Sequence, residues 1–160
     1  MIIRQPIKHS ITNEGEDSFN MGRWSYSTIR GRNKRRVTII TAYQTCECDM
    51  ATQGVTTFPS QQWTLLEQKG LEEGNIRKRM IKELISFINK LQRQQHEVIL
   101  LIDANESITD SNSLIGKLLS QTQMCDPIFK QHGSKHEPNT HIKVPKELTI
   151  YSALSTYQSI

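Results

Sequence analysis

An unbroken aliphatic segment that ends in two polar residues constrains the fold more than any other feature of the chain. Residues 98–102 read VILLI, Asp103 follows directly, and Asn105 stands two positions later. Such a run predicts a strand in the middle of a sheet that is buried on both faces. Side chains at the end of this strand can hold a divalent cation, a phosphate oxygen or a water molecule. We therefore expect the chemistry, if the chain has any, at this edge of the sheet.

Periodicity in the rest of the chain predicts alternating strands and helices. Apolar and polar residues alternate from 23 to 29, and β-branched residues dominate 37–43, which predicts an antiparallel hairpin turned at Gly31 and Asn33. The helix predicted at 75–94 places Arg77 on its solvent-facing side. Further strands are predicted at 98–102 and 148–155, and helices at 60–68, 75–94 and 112–121, with Ser60 and Asn75 as N-caps of the first two. This order is typical of α/β proteins.

Length and composition indicate one domain. A chain of 160 residues with 36% hydrophobic residues can bury a sizeable core. Residues 1–22 are polar and are predicted to form a poorly structured lead-in, so the predicted domain spans residues 23–160. Three cysteines, an odd number, fit a reducing compartment, and no segment looks like a signal peptide or a membrane span. We expect a soluble, intracellular protein without a membrane partner, and the nucleus is a candidate location.

A basic segment occupies the predicted hairpin turn. A charge run at a turn is commonly solvated surface, but the same cations could contact a phosphate backbone whatever its base sequence. The net charge of +4 permits a polyanionic partner without requiring one. Trp24 and Tyr26 could stack on bases, although they alternate as core residues do. The cationic residues are Arg30, Arg32, Lys34, Arg35 and Arg36.

Spacing alone leaves the role of the strand-end residues open. Asp103 and Asn105 are common in turns, and their spacing by itself favours a structural role over a catalytic one. Cys46 and Cys48 have no second pair of ligands at zinc spacing, so a metal role for them is disfavoured. Longer motifs are needed to choose between a structural and a catalytic role for Asp103 and Asn105.

Longer motifs resemble the endonuclease/exonuclease/phosphatase superfamily, the family of pancreatic deoxyribonuclease, and most of all its retroelement-associated endonuclease domains. In that family, a strand ending in Gly-Asp-Phe-Asn carries a catalytic aspartate and asparagine. Asp103 and Asn105 match these two, whereas the glycine and phenylalanine are not kept, and Tyr43 matches the family's strand-end tyrosine. The resemblance rests on GRWSYSTIRGRNKRRVTIITAYQTC at 22–46, QQW at 61–63 and VILLIDANES at 98–107.

The resemblance implies an α/β fold, part of a two-sheet β-sandwich flanked by helices in the four-layer, deoxyribonuclease-like arrangement. It implies Mg²⁺-dependent phosphodiester hydrolysis, with Asp103 acting on water as base or acid, Asn105 contacting phosphate or metal, and Tyr43 donating to phosphate. The family's metal-binding glutamate and late aspartate–histidine pair find no match, and residues 150–152 (IYS) lack the carboxylate usual there. The sequence therefore predicts a central piece of the domain, weakly active or inactive, with no assignable metal ligand.

Three functions stay open on these grounds. The first is a phosphodiesterase that acts on nucleic acid, with DNA favoured over RNA as the partner. The second is a non-catalytic fragment that binds nucleic acid through the basic segment at residues 30–36, here called the basic hairpin. The third is a phosphoesterase of small substrates. A partial sandwich also leaves unpaired sheet edges and apolar surface, so we expect self-association.

Overall fold

Five strands form one mixed sheet in the order β1-β2-β3-β4-β5. The first three strands form an antiparallel meander, β4 runs parallel to β3, and β5 returns antiparallel to β4. The computed structural model describes residues 10–47, 54, 56–71, 75–106, 112–132 and 148–153. The strands are β1 (Ile11–Glu16), β2 (Trp24–Arg30), β3 (Arg36–Tyr43), β4 (His96–Asp103) and β5 (Leu148–Ala153).

Helices lie before and after β4. Asn75 caps the long helix α2 as predicted, because its side chain accepts hydrogen bonds from two backbone N–H groups of the first turn. Helix α1 begins earlier than predicted: Thr57 rather than Ser60 is its N-cap, and Pro59 lies in the first turn, where its missing N–H does no harm. No helix in the described segments is long and apolar enough to cross a bilayer. The helices are α1 (Phe58–Gln68), α2 (Ile76–Arg93), α3 (Leu114–Thr122) and α4 (Pro127–His132).

One face of the sheet forms the hydrophobic core with α2 and α3. In β4, Val98, Leu100 and Ile102 are fully buried, whereas Ile99 and Leu101 on the opposite face are partly exposed. The expectation that both faces of β4 are buried is therefore wrong, although the strand does lie between two others. The core also contains Ile40, Ile81, Leu84, Ile88, Ile115 and Leu118.

The opposite face, here called the outer face, carries a strip of partly exposed aliphatic side chains. Ile39 on β3 is the direct partner of Ile99 on β4, and Leu101 follows on the same face. The described part of the chain thus contains one sheet of the expected sandwich, packed by α2 and α3 on its core face.

β2 and β3 form the predicted hairpin. Trp24 and Tyr26 face the core, where their rings lie 4.7 and 4.9 Å from the ring of Phe87 between centroids. This aromatic cluster uses both rings for packing, in line with their alternation in the sequence. Asn33 and Lys34 adopt left-handed backbone conformations in the turn, which asparagine tolerates better than most residues.

The segment before β2 is anchored rather than loose. β1 pairs with β2 with one irregularity between Ile11 and Asn13, and the loop after β1 contains a buried carboxylate, Asp17. Asp17 accepts hydrogen bonds from three backbone N–H groups of that loop and, at 2.9 Å, from the guanidinium of Arg23. Arg23 is also buried and reaches Glu83 on α2 at 2.5 Å. The expectation of a poorly structured lead-in is therefore wrong for residues 10–22, which a polar network holds in place.

Candidate active site

The carboxyl ends of β3 and β4 bring two of the predicted catalytic residues together. The strands are parallel and in register, and Tyr43 is the direct partner of Asp103. Strand alternation places both side chains on the outer face. The N–H of Gln44 donates to the Asp103 carbonyl at 2.9 Å and extends the strand pair by one bond. Tyr43 is 42% exposed and Asp103 partly exposed, so a phenol and a carboxylate meet solvent at one edge.

Asn105 locks the loop that follows β4. Its backbone is left-handed (φ 49°), and its N–H lies 3.4 Å from Asp103 Oδ1, the turn contact that the structural interpretation predicted. Its side-chain NH₂ donates to the Gln44 carbonyl at 2.6 Å, and its oxygen accepts from the Cys46 thiol at 3.3 Å. An amide offers two donors and two lone pairs, so these contacts use half of its capacity. We call Tyr43, Asp103 and Asn105 the strand-end site.

Arg77 and Glu106 tie the strand-end site to α2 and α3. Arg77 is buried, so the expectation of a solvent-facing position is wrong. Its guanidinium donates to the Thr45 carbonyl at 2.9 Å and to Glu106 Oε2 at 2.6 Å. The other Glu106 oxygen accepts from the Ile115 N–H at 2.6 Å and from the Ser113 hydroxyl at 3.0 Å, at the N-terminus of α3. Glu106 is therefore fully engaged in holding three elements together.

Sequence reasoning missed two more side chains at this edge. Phe58, the first residue of α1, lies against Tyr43 with 6.0 Å between ring centroids, which brings the start of α1 beside the site. Gln44 is fully buried, and neither atom of its amide has a hydrogen-bond partner among the described residues. The Phe-Pro pair at the start of α1 is a visible helix signal, but no pattern in the sequence indicates that the start of the helix lies beside Tyr43.

The basic hairpin lies at the opposite end of the same strands. Arg36 opens β3 and is the direct partner of His96. Since β3 has eight residues, its two ends lie roughly 23 Å apart at about 3.3 Å per residue. Arg35 forms an ion pair with Glu97, and Arg32 lies exposed in the turn. The structure therefore does not bring the predicted nucleic-acid-binding residues to the strand-end site.

The side chains of the strand-end site supply part of a coordination shell for the implied Mg²⁺ ion. Magnesium prefers oxygen ligands in octahedral geometry, with one or two carboxylates. No group of three or more His, Cys, Asp and Glu side chains is placed to hold a metal in the described segments. Glu106 is held by its own partners, which leaves Asp103 as the carboxylate of the site. Cys48 lies outside the described residues. The chemistry of this site is accordingly derived from its side chains alone.

Comparisons with known proteins found a similar fold among solved structures. No protein-family model matches the chain, and no curated protein matches it. The solved human Nocturnin catalytic domain with a bound sulfate anion is 11% identical, with a TM-score of 0.52, and the match covers 89% of this chain and 47% of that one. A β-hairpin deletion mutant of beta toxin from Staphylococcus aureus is 12% identical, with a TM-score of 0.43, over 89% of this chain and 51% of its own.

The likeness to the Nocturnin domain confirms the predicted class of fold. The chain is a mixed α/β protein of the deoxyribonuclease-like type, as the endonuclease/exonuclease/phosphatase resemblance implied. It spans about half the length of the Nocturnin domain that it matches. At this level of identity, the likeness extends to the fold and not to activity or substrate.

Proposed function

We propose that this chain is a weakly active, phosphodiesterase-like hydrolase that acts on nucleic acid, with DNA favoured over RNA, at the strand-end site. One observation carries the proposal: the register of β3 and β4 sets Tyr43 beside Asp103 at a solvent-exposed edge. Ligands of α/β sheets commonly bind beyond the carboxyl ends of the strands, which is where this pair lies. Descent from a retroelement-associated endonuclease and an intracellular, nuclear location belong to the same proposal.

The strand-end site supplies part of the chemistry of phosphodiester hydrolysis. In this reaction water attacks phosphorus while the leaving oxygen departs on the opposite side. The Asp103 carboxylate can take a proton from the attacking water. The Tyr43 hydroxyl and the remaining amide hydrogen of Asn105 can donate to the non-bridging oxygens, where negative charge accumulates. Each missing electrostatic contributor lowers the rate by about a hundred- to a thousandfold, so this set alone predicts slow turnover.

A plasmid-nicking assay with added Mg²⁺ tests the proposal. Glu14→Ala is the matched control for Asp103→Ala, because it removes an exposed carboxylate of the same sheet that forms no salt bridge within the described residues. We expect slow nicking from the wild type and from Glu14→Ala, and background nicking from Asp103→Ala. Tyr43→Phe, which removes only the hydroxyl, should also slow the reaction. Equal nicking by the wild type and Asp103→Ala would show that the strand-end site does not hydrolyse DNA.

A non-catalytic role in nucleic-acid binding is the second candidate. It is favoured because no salt bridge within the described residues engages Arg30, Lys34 or Arg36 of the basic hairpin. DNA affinity should then fall steeply with salt, and the slope should shrink when Arg32, Arg35 and Arg36 are neutralised. An affinity that ignores both salt and these substitutions would exclude this role.

A phosphoesterase of small substrates is the third candidate. The preparation used in the nicking assay can also be offered mononucleotides and inositol phosphates, with phosphate release as the readout. Release that depends on Asp103, in the absence of DNA nicking, would favour small substrates over nucleic acid.

A further inference from the structure

We propose that a cleft at the basic end of the sheet, opposite the strand-end site, binds a phosphate-bearing anion. The cleft has a volume of about 760 Å³, within the size range of small-molecule sites. Arg30, Lys34 and Arg36 line it together with His96, and neutral polar side chains such as Gln94 complete its wall. The site is independent of the proposed hydrolysis, because the length of β3 separates the two and they share no residue. We call this site the basic cleft.

The hairpin divides its five cations between two surfaces. Arg30, Lys34 and Arg36 line the basic cleft, whereas Arg35 is paired with Glu97 away from it and Arg32 is not part of its lining. No carboxylate stands among the described lining residues, so three positive charges face the cleft without compensation. The C-terminal end of α2, next to Gln94, contributes a partial negative charge of about half a unit, which three cations outweigh. The cleft therefore attracts anions.

His96 is the buried titratable group among the described lining residues of the cleft. It is only 8% exposed, and its Nδ1 lies 2.8 Å from the Thr38 hydroxyl, which in turn contacts the Thr28 hydroxyl at 2.9 Å. Its Nε2 lies 3.5 Å from Nη1 of Arg36. Arginine can only donate, so Nε2 faces it as an acceptor and the neutral ring carries its proton on Nδ1. Burial, and then the charge of Arg36, lower the pKa of His96 below its ordinary value.

An anion bound in the cleft would raise the pKa of His96 again. A phosphate oxygen between Arg36 and His96 would offset the arginine charge and accept a hydrogen bond from a protonated Nε2. Apart from His96 and the cations Arg30, Lys34 and Arg36, the other described lining residues, which come from β1, β2 and the end of α2, are neutral. His96 is thus the group through which pH changes the charge of the cleft. Binding takes up a proton, so affinity rises as the pH falls.

The lining indicates what the ligand must offer. Guanidinium, hydroxyl and amide donors suit phosphate oxygens, and arginine matches them in pairs. No tryptophan, tyrosine or phenylalanine stands among the described lining residues, so the cleft has no large aromatic surface for a base. Phosphate groups themselves are therefore the recognised chemistry, whether on a small polyphosphate or along a nucleic-acid backbone.

Calorimetric titration with inorganic pyrophosphate tests the basic cleft against net charge alone. Arg36→Gln and Arg35→Gln remove the same charge from neighbouring positions, but only Arg36 lines the cleft. We expect Arg36→Gln to weaken binding by about tenfold, the loss of one charge-assisted contact, and Arg35→Gln by less than about twofold. Equal losses in the two variants, or no binding by the wild type, would overturn the proposal.

Measurements on either side of the ordinary histidine pKa, at about pH 5.5 and about pH 7.5, test the role of His96. Pyrophosphate also titrates in this range. His96→Gln serves as the reference, because both proteins meet the ligand in the same protonation state at each pH. The wild type should gain more affinity at the lower pH than His96→Gln does. Should that variant fail to fold, an NMR titration of the wild-type imidazole is decisive: pyrophosphate must raise the pKa of His96, and an unchanged pKa refutes the coupling. Competition by a single-stranded oligonucleotide separates the two sources, because only a backbone that uses the cleft displaces pyrophosphate.

Discussion

Replacement of the buried carboxylate after β1 tests whether the anchored segment before β2 is part of the folded unit. Asp17→Ala removes the acceptor of three backbone N–H groups and of the Arg23 guanidinium. It also leaves Arg23 buried with Glu83 as its remaining ion-pair partner. Breaking a buried pair by removing one partner costs about 3–5 kcal/mol. Because Glu83 still compensates part of the arginine charge, we expect a loss of about 3 kcal/mol.

Thermal unfolding followed by circular dichroism measures this loss. For a chain of this length, about 3 kcal/mol corresponds to a fall in Tm of about 6–12 °C. Glu16→Ala is the matched control, since Glu16 is an exposed carboxylate one residue earlier, and its substitution should change stability by less than about 0.5 kcal/mol. A Tm of Asp17→Ala within about 2 °C of the wild type would refute the network as a source of stability.

The same carboxylate predicts a pH dependence. Burial would raise the pKa of Asp17, but hydrogen bonds from Arg23 and Met21 and the charge of Arg23 outweigh it and hold the pKa below its ordinary value. A carboxyl whose pKa is lowered by folding stabilises the protein above about pH 4 and loses that contribution as the pH falls through the folded-state value. The stability difference between the wild type and Asp17→Ala should therefore shrink below about pH 4.

Three further outcomes can be checked on the same preparation. Arg77→Met leaves the largely buried Glu106 without its cation, and urea unfolding should show a loss of about 3 kcal/mol; a change under about 1 kcal/mol would contradict the tie between the strand-end site and the helices. Gln44→Met removes a buried amide that has no partner among the described residues, so Tm should rise, and a fall would reveal a bound partner of that amide. The outer face should drive self-association, which Ile99→Lys should reduce in light scattering; a clean wild-type monomer at high concentration would contradict this.

The sequence predicted the strand-end edge because its signals are local. An aliphatic run ending in Asp103 and a β-branched strand ending in Tyr43 each place one polar side chain at a strand end. Their direct pairing depends on a parallel register, which periodicity does not specify; the family resemblance implied only that both residues act in catalysis. The burial of β4 was overestimated because an aliphatic residue on a partly open face looks the same in sequence as one in the core.

Polar networks escaped prediction because their partners are far apart in sequence. Arg23 and Glu83 are 60 residues apart, and Arg77 and Glu106 are 29 apart, so neither pair leaves a local pattern. The helical pattern in the sequence does not distinguish a buried arginine from a solvated one, which explains the wrong expectation for Arg77. The division of the basic hairpin between two surfaces is likewise a matter of three-dimensional placement, which the order of cations in the sequence does not indicate.

The parallel pairing of β3 with β4 also has a consequence for the order of folding. Arg36 and His96, at one end of the pair, are separated by 60 residues of chain. Parallel strands need a long crossover connection, and contacts this distant in sequence form slowly because a large loop must first be closed. The basic cleft and the strand-end site are built at the two ends of this one pair. A nascent chain therefore has neither site until β4 has left the ribosome and docked beside β3.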